Sequence, residues 1–448
     1  MLKFPDGFLW GTATSAHQVE GGNDNNDLWD WEQVPRHIKN GDKSTVACDW
    51  WKGERYREDF DIAKSLHQNA HRLSVEWSRL EPREGEWSAD AFAFYRRVLS
   101  ALRKRGMEPL VTLHHFTNPR WLVQKGGWET EAVVPLFERF AAKIVEELGD
   151  LCDSWVTLNE PNVYQFTGYI DGNWPPGKKD FGLAMRVGVN MLRAHAAAYR
   201  AIHRVQPNAR VGVAHHIRPL KPANSRSSLN RVIAGFQDRI FNRLFPLALQ
   251  DGRVRFPMGI GVRVPEAVRT QDFLGLNFYC SGRVAVDFSQ PSRMFGRQLP
   301  PKPWGFSMDE ELQQWFGYGD LDPDAFCETT KWLGRYGEGK PIYITENGVC
   351  DTHDEIRPRV LIAYLAALHR AIQDGAPVKG YFHWTLTDNF EWQEGYWLNF
   401  GLIRNDLITQ TRTPRPSAQV YARIARENGI ADELMERYAR NCEMTNDK

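Results

Sequence analysis

Two glutamates stand in short polar runs directly after apolar segments. Glu160 lies in Thr157-Leu-Asn-Glu-Pro161, and Glu346 lies in Ile344-Thr-Glu-Asn-Gly348. A carboxylate next to a buried strand is costly unless it is hydrogen-bonded or functional. Taken singly, either could cap a helix or pair with an arginine. Taken together they match the two carboxyl groups that cleave a glycosidic bond, one protonating the leaving oxygen and the other attacking or activating water. A pyranose also presents hydroxyls at its edge and an apolar C–H face, which call for amides or carboxylates and for an indole. The stretch His383-Trp-Thr-Leu-Thr-Asp-Asn-Phe-Glu-Trp392 supplies both kinds. A core strand accounts for Trp384, but 388–392 is too polar to be core.

The elements that must position these groups follow from the apolar pattern. Eight short runs, 8–13, 71–75, 108–113, 154–158, 210–214, 273–277, 341–345 and 379–384, are apolar on both faces, as strands buried under helices should be. Helix-period segments separate them at 55–67, 90–105, 131–148, 181–205, 229–249, 325–336 and 357–373, with a last one at 417–427. Ser88 suits an N-cap and Gly106 a C′ position for the second of these. Eight strand–helix units without a break in composition predict an α/β fold, one (β/α)₈ TIM barrel over residues 1–448. A doubly wound open sheet is the alternative, but no glycine-rich phosphate motif follows any strand. The stretches 21–50, 168–180 and 280–320 read as elaborated βα loops over one face.

Active sites of such barrels lie at the C-terminal ends of the strands. The residues found there are Gln18 and Glu20, Glu76, His114-His115, Asn159-Glu160, His215-His216, Asn277 and Tyr279, Glu346-Asn347, and Trp384 with Asp388. Strands four and seven are expected to lie across the barrel, so that Glu160 and Glu346 face each other. Adjacent residues of a strand point to opposite faces, so each histidine doublet offers at most one inward nitrogen. His115 is the better sugar donor; His215 and His216 divide evenly between mouth and packing. His67 and His71 have a helical metal-ligand spacing, but Asn69-Ala70 interrupts the helix and no carboxylate completes a set, so no metal or other cofactor is expected.

Composition sets the limits. The chain has 448 residues with 56 Lys+Arg against 56 Asp+Glu, and 42% hydrophobic residues. This is the balance of a globular protein and offers no cationic footprint for nucleic acid. No apolar run is long enough for a membrane span or a signal sequence, so no membrane partner is expected. The six cysteines are scattered without a tight framework. They read as free thiols in a reducing compartment, with cytoplasm the expected location.

These segments resemble glycoside hydrolase family 1, the β-glucosidase family. The resemblance runs from Phe4-Pro-Asp-Gly-Phe-Leu-Trp-Gly-Thr-Ala-Thr-Ser15 to Pro414-Arg-Pro-Ser417. Its most specific parts are His17-Gln-Val-Glu-Gly21, His71-Arg-Leu-Ser-Val-Glu-Trp-Ser-Arg79, Asn159-Glu160-Pro161, Thr345-Glu346-Asn347-Gly348 and Asp388-Asn-Phe-Glu-Trp392. The resemblance implies a retaining exo-β-glycosidase with Glu160 as acid/base and Glu346 as nucleophile. It implies that Arg72 and Tyr279 flank the nucleophile, that Asn159 meets the 2-hydroxyl, and that Asn277 supports the site. Gln18, His115, Glu391 and Trp392 would grip the other hydroxyls, and Trp384 would floor the sugar ring. The expected partner is a small β-glycoside or oligosaccharide. The chain departs from the family pattern at Phe116-Thr117 and at Asn399, positions that bear on substrate preference. A 6-phospho-β-glycosidase, a transglycosylase and an inactive sugar-binding relative are the competing readings; the presence of both carboxylates argues against the last.

Overall fold

The computed structural model describes residues 1–302 and 319–438. Cys442, residues 303–318 of the expected 280–320 loop and the last residues of the expected 1–448 unit lie outside them. Eight strands close into a parallel barrel: β1 (Leu9–Ala13), β2 (Ala70–Ser74), β3 (Glu108–His114), β4 (Ser154–Asn159), β5 (Arg210–His216), β6 (Phe273–Asn277), β7 (Ile342–Asn347) and β8 (Val378–Trp384). Each of the eight apolar runs falls on one of these strands. The spatial order follows the chain order, β8 pairing with β1 to close the ring. Strands β4 and β7 are therefore three places apart with β5 and β6 between them, one place short of diametric opposition. The register matters more than the angle. Asn277 pairs with Glu346 across β6/β7 and with His216 across β5/β6, so the polar strand ends share one level.

The helices pack outside this ring. They are α1 (Tyr56–Ser65), α2 (Ala89–Lys104), α3 (Val133–Leu148), α4 (Phe181–Val205), α5 (Ser228–Asp238), α6 (Pro323–Tyr336), α7 (Arg357–Gln373) and α8 (Pro416–Glu427). Their amphipathic periodicity turns Phe, Leu and Ala onto the strands and leaves charge outside. In α2, for example, Phe94, Val98, Leu99 and Leu102 are buried. Ser88 caps it by accepting from the backbone N–H of Ala91, and Gly106 takes the left-handed φ of +64° just past its end. The run 229–249 reads as one helix but is not. After α5 the chain makes a π turn (Arg239–Arg243) and a second helix (Leu244–Asp251). Pro246 has no N–H to give and would clash with the preceding turn, so the helix must restart just before it.

The elaborations build over the C-terminal ends of the strands. Leu220–Pro222, Gly282–Val286 and Gly296–Gln298 form a small three-stranded sheet. Strands this short show no periodicity in sequence. No helix among the described residues is long and apolar enough to cross a membrane. Cys48, Cys152, Cys280, Cys327 and Cys350 are buried and form no disulfide among the described residues.

Candidate active site

Glu346 is the penultimate residue of β7 and is 4% exposed. Nη1 of Arg72, from β2, donates to its Oε1 (2.5 Å), and the Tyr279 hydroxyl donates to its Oε2 (2.6 Å). Arg72 is itself buried and fixed on all sides. Nη2 donates to Oδ1 of Asn159 (2.6 Å), Nε to Oγ1 of Thr112 (3.2 Å), and Nη1 also to the Thr345 carbonyl (3.1 Å). An ion pair this deep is held by such surrounding bonds; removing one partner would leave an uncompensated charge. Gly348 follows in the same run because a Cβ there would meet the Trp384 carbonyl oxygen at 2.0 Å.

Glu160 follows β4 directly, with a left-handed φ of +42°, an uncommon conformation for a residue other than glycine. Pro161 then opens the short helix Pro161–Phe166. The bend turns the Glu160 side chain toward the strand ends of β5 and β6. Nδ2 of Asn277 lies 2.7 Å from its Oε1, and Nδ1 of His216 lies 3.0 Å from the same oxygen. Asn277 also donates to Oδ1 of Asn159 (3.1 Å) and accepts from the Thr345 hydroxyl (2.6 Å). An unbroken chain of contacts thus runs Glu346–Arg72–Asn159–Asn277–Glu160.

The electrostatics divide the two carboxyls. Burial pushes Glu346 up to about 7; Arg72 opposes this, the Glu160 charge adds to it, and Tyr279 lowers it. Burial also raises Glu160, but the charge and hydrogen bond of His216, with Asn277 and Arg72, outweigh it and bring Glu160 below the ordinary range. Two interacting acids lose their protons as a pair. Burial thus prevails at Glu346, and the surrounding donors prevail at Glu160. The cause is the unequal donor set: His216 stabilises the Glu160 anion, and sequence reading left that histidine undecided.

The other expected sugar contacts gather on one side. Asn159 donates from Nδ2 to Nε2 of His115 (3.1 Å), which leaves one amide proton. Burial, then the nearby Arg72 charge, hold His115 well below its ordinary value, so the ring is neutral. With Nε2 accepting, its proton sits on Nδ1, which has no partner among the described residues. Trp384 Nε1 donates to Oε1 of Glu391 (3.3 Å), and Gln18 Nε2 to Oε2 (3.3 Å). Burial pushes Glu391 up to about 8; Trp384 pulls the other way and the Glu346 charge adds to the rise. Gln18 is fully buried behind Glu391. Its amide also donates to Asn389 and the Phe390 carbonyl, while Ser15 donates to its Oε1.

A cavity of about 490 Å³ opens at this level. Its polar floor comprises His115, Asn159, Glu160, Glu346, Trp384, Glu391 and Trp392. Its outer part is walled by Phe116, Phe166, Ile170, Trp174 and Phe241. Trp174 packs on Trp392 with ring centroids 5.5 Å apart, a contribution from the 168–180 loop that no local pattern announces.

Several strand-end groups lie outside the cavity wall. Asp388 is bound by Arg415 (2.8 and 3.0 Å) and by the Gly401 N–H. Glu20 is taken by Arg79 and Tyr95, and Glu76 by Ser78 and Thr117. Asn347 spans Phe278 and Tyr381. His114 turns to Asn118 and His215 to Gln271. In each case a neighbouring donor or acceptor engages the group, a pairing invisible in one dimension.

A closed barrel with two buried, chain-linked carboxyls over a cavity of amides and indoles defines a barrel glycoside hydrolase. The family model of glycosyl hydrolase family 1 matches residues 1–256 and 263–430. The chain is 32% identical to a 1,4-beta-D-glucan glucohydrolase of Thermotoga neapolitana, over 96% of this chain and 100% of that one. It is 30% identical to a beta-galactosidase of Pyrococcus woesei, over 98% and 100%. The solved beta-glycosidase from Pyrococcus horikoshii superposes with a TM-score of 0.87 at 38% identity, covering 98% of each chain. The protein belongs to glycosyl hydrolase family 1.

Proposed function

We propose that this chain is a retaining exo-β-glycosidase, acting on β-glucosides by double displacement as one catalytic unit. The observation that carries this reading is the unequal partnering of the two carboxyls. Arg72 and Tyr279 hold both oxygens of Glu346, as a nucleophile that must be oriented and charged requires. Burial keeps the Tyr279 hydroxyl protonated, its value raised well above the usual one with the Glu346 and Glu160 charges adding, so it donates. Among the described residues Glu160 has one oxygen engaged, and it can carry a proton on the other. The first step uses the proton on Glu160 and the charge on Glu346.

In the first step Glu346 attacks the anomeric carbon while Glu160 protonates the departing oxygen. In the second, Glu160 takes a proton from water, which attacks the glycosyl–enzyme ester from the vacated side. Asn159 meets the 2-hydroxyl with its remaining amide proton, and His115 donates from Nδ1. Glu391 accepts from the 4- and 6-hydroxyls, Trp384 floors the ring and Trp392 closes beside it. Gln18 holds Glu391; to reach a hydroxyl itself it must trade one of its present bonds.

The test is Glu346→Ala. It should abolish turnover of nitrophenyl β-glucoside, and azide should restore turnover to give the α-glycosyl azide. Proton NMR of the unmodified enzyme's early product should show the β-anomer. Near-normal turnover in the variant, or α-anomer first, would refute the assignment.

A further inference from the structure

His216 is the last residue of β5, and its register partner across the sheet is Asn277. Its ring is clamped from two sides. It stacks on Tyr279 with centroids 6.1 Å apart and planes 28° apart, and Phe241 meets it edge-on at 5.8 Å. Its backbone is held as well, since Nδ2 of Asn162 donates to its carbonyl (2.9 Å). Nδ1 is thereby aimed at Glu160 Oε1, the oxygen that Asn277 also engages. Both of these bonds fall on one oxygen, so the two oxygens of Glu160 are not equivalent.

We propose that His216 is a positioning residue for the acid/base. It ties Oε1 of Glu160 so that Oε2 is the oxygen that gives and takes the proton, and it favours the carboxylate form that the second half of the reaction uses. This rests on the reading of Glu160 as acid/base. The other groups facing the pair are Asn277 and Tyr279 from the end of β6, Glu346 from β7 and Arg72 from β2; Glu391 reaches it through Tyr279. Among these, Asn277 donates without charge and Arg72 is committed to Glu346 and Asn159. His216 is the contact whose removal frees Glu160 to hold its proton. The lowering of Glu160 agrees with this, and a neutral ring protonated on Nδ1 makes the same donation.

The experiment compares kcat at saturating substrate against pH, which reports the groups of the enzyme–substrate complex, for the full chain and three variants, using a nitrophenyl β-glucoside of poor leaving ability. His216→Phe keeps the ring packing and removes the donor. Its alkaline limb, which follows loss of the Glu160 proton, should move to higher pH by about one unit, the size expected for one bond to a charged acceptor. His216→Gln, whose amide reaches the Nε2 position, should behave like His216→Phe and serves if the latter does not fold. His216→Asn places an amide N–H where Nδ1 stands and should return the limb to that of the unmodified enzyme. An alkaline limb unmoved in folded His216→Phe or His216→Gln would overturn the proposal, as would a limb displaced equally in His216→Asn. If instead Glu160→Gln kept normal turnover and an unchanged limb, the acid/base reading itself would fall.

Discussion

Glu391 couples stability to function in opposite directions. It is 8% exposed, and its two donors, Trp384 Nε1 and Gln18 Nε2, each stand at a long 3.3 Å. That is weak support for an anion, and burial pushes its value from 4.5 to about 8. Below the ordinary carboxyl value the group is protonated whether the chain is folded or not, and it costs nothing. As pH rises toward 8 the unfolded chain ionises while the folded site retains its proton, so folding stability falls. At ~1.4 kcal/mol per pH unit the interval amounts to a ceiling of about 5 kcal/mol, and relaxation of the site would reduce it to roughly 2–4 kcal/mol. Glu391→Gln has the same shape, keeps an oxygen for Trp384 and cannot ionise. Denaturant unfolding at about pH 5 and about pH 8 should therefore show the variant gaining ~1–3 kcal/mol on the unmodified protein between the two, since this window spans only part of the full interval. Turnover should fall at least ~10-fold, because the amide nitrogen that replaces one carboxyl oxygen cannot accept from a sugar hydroxyl. Parallel stability curves for the two proteins across this range would refute the reasoning, as would undiminished turnover.

Two further outcomes follow from the same geometry. Glu160→Ala should slow the first step far more for poor leaving groups than for activated aryl ones, measured as single-turnover rates; equal losses would exclude the acid role. Unphosphorylated β-glucosides should be strongly preferred over 6-phosphates, because a dianion beside Glu391 meets no Lys or Arg in 391–401 and faces Glu394, which lines the same cavity. Glu391→Ser should narrow that preference, and a higher kcat/KM for nitrophenyl β-glucoside 6-phosphate in the unmodified enzyme would overturn it.

Much of this protein is legible in its sequence. The eight apolar runs mark the barrel strands, because a strand buried on both faces must be apolar along its length. The residue after each run is then placed at the barrel mouth by chain geometry alone, which brings Glu160, Glu346, His115 and Trp384 to one end. What linear order cannot state is which polar group takes another's hydrogen bond. Asp388 and Glu76 stand at strand ends as plausibly as Glu346 does, yet Arg415 and Thr117 hold the first two, while Arg72 reaches round from β2 to the third. His215 and His216 are indistinguishable as letters; one packs on Gln271 and the other meets Glu160. These choices are made only when the ring closes, because a hydrogen bond depends on reach and direction between strands up to three places apart, and burial then decides where each carboxyl keeps its proton.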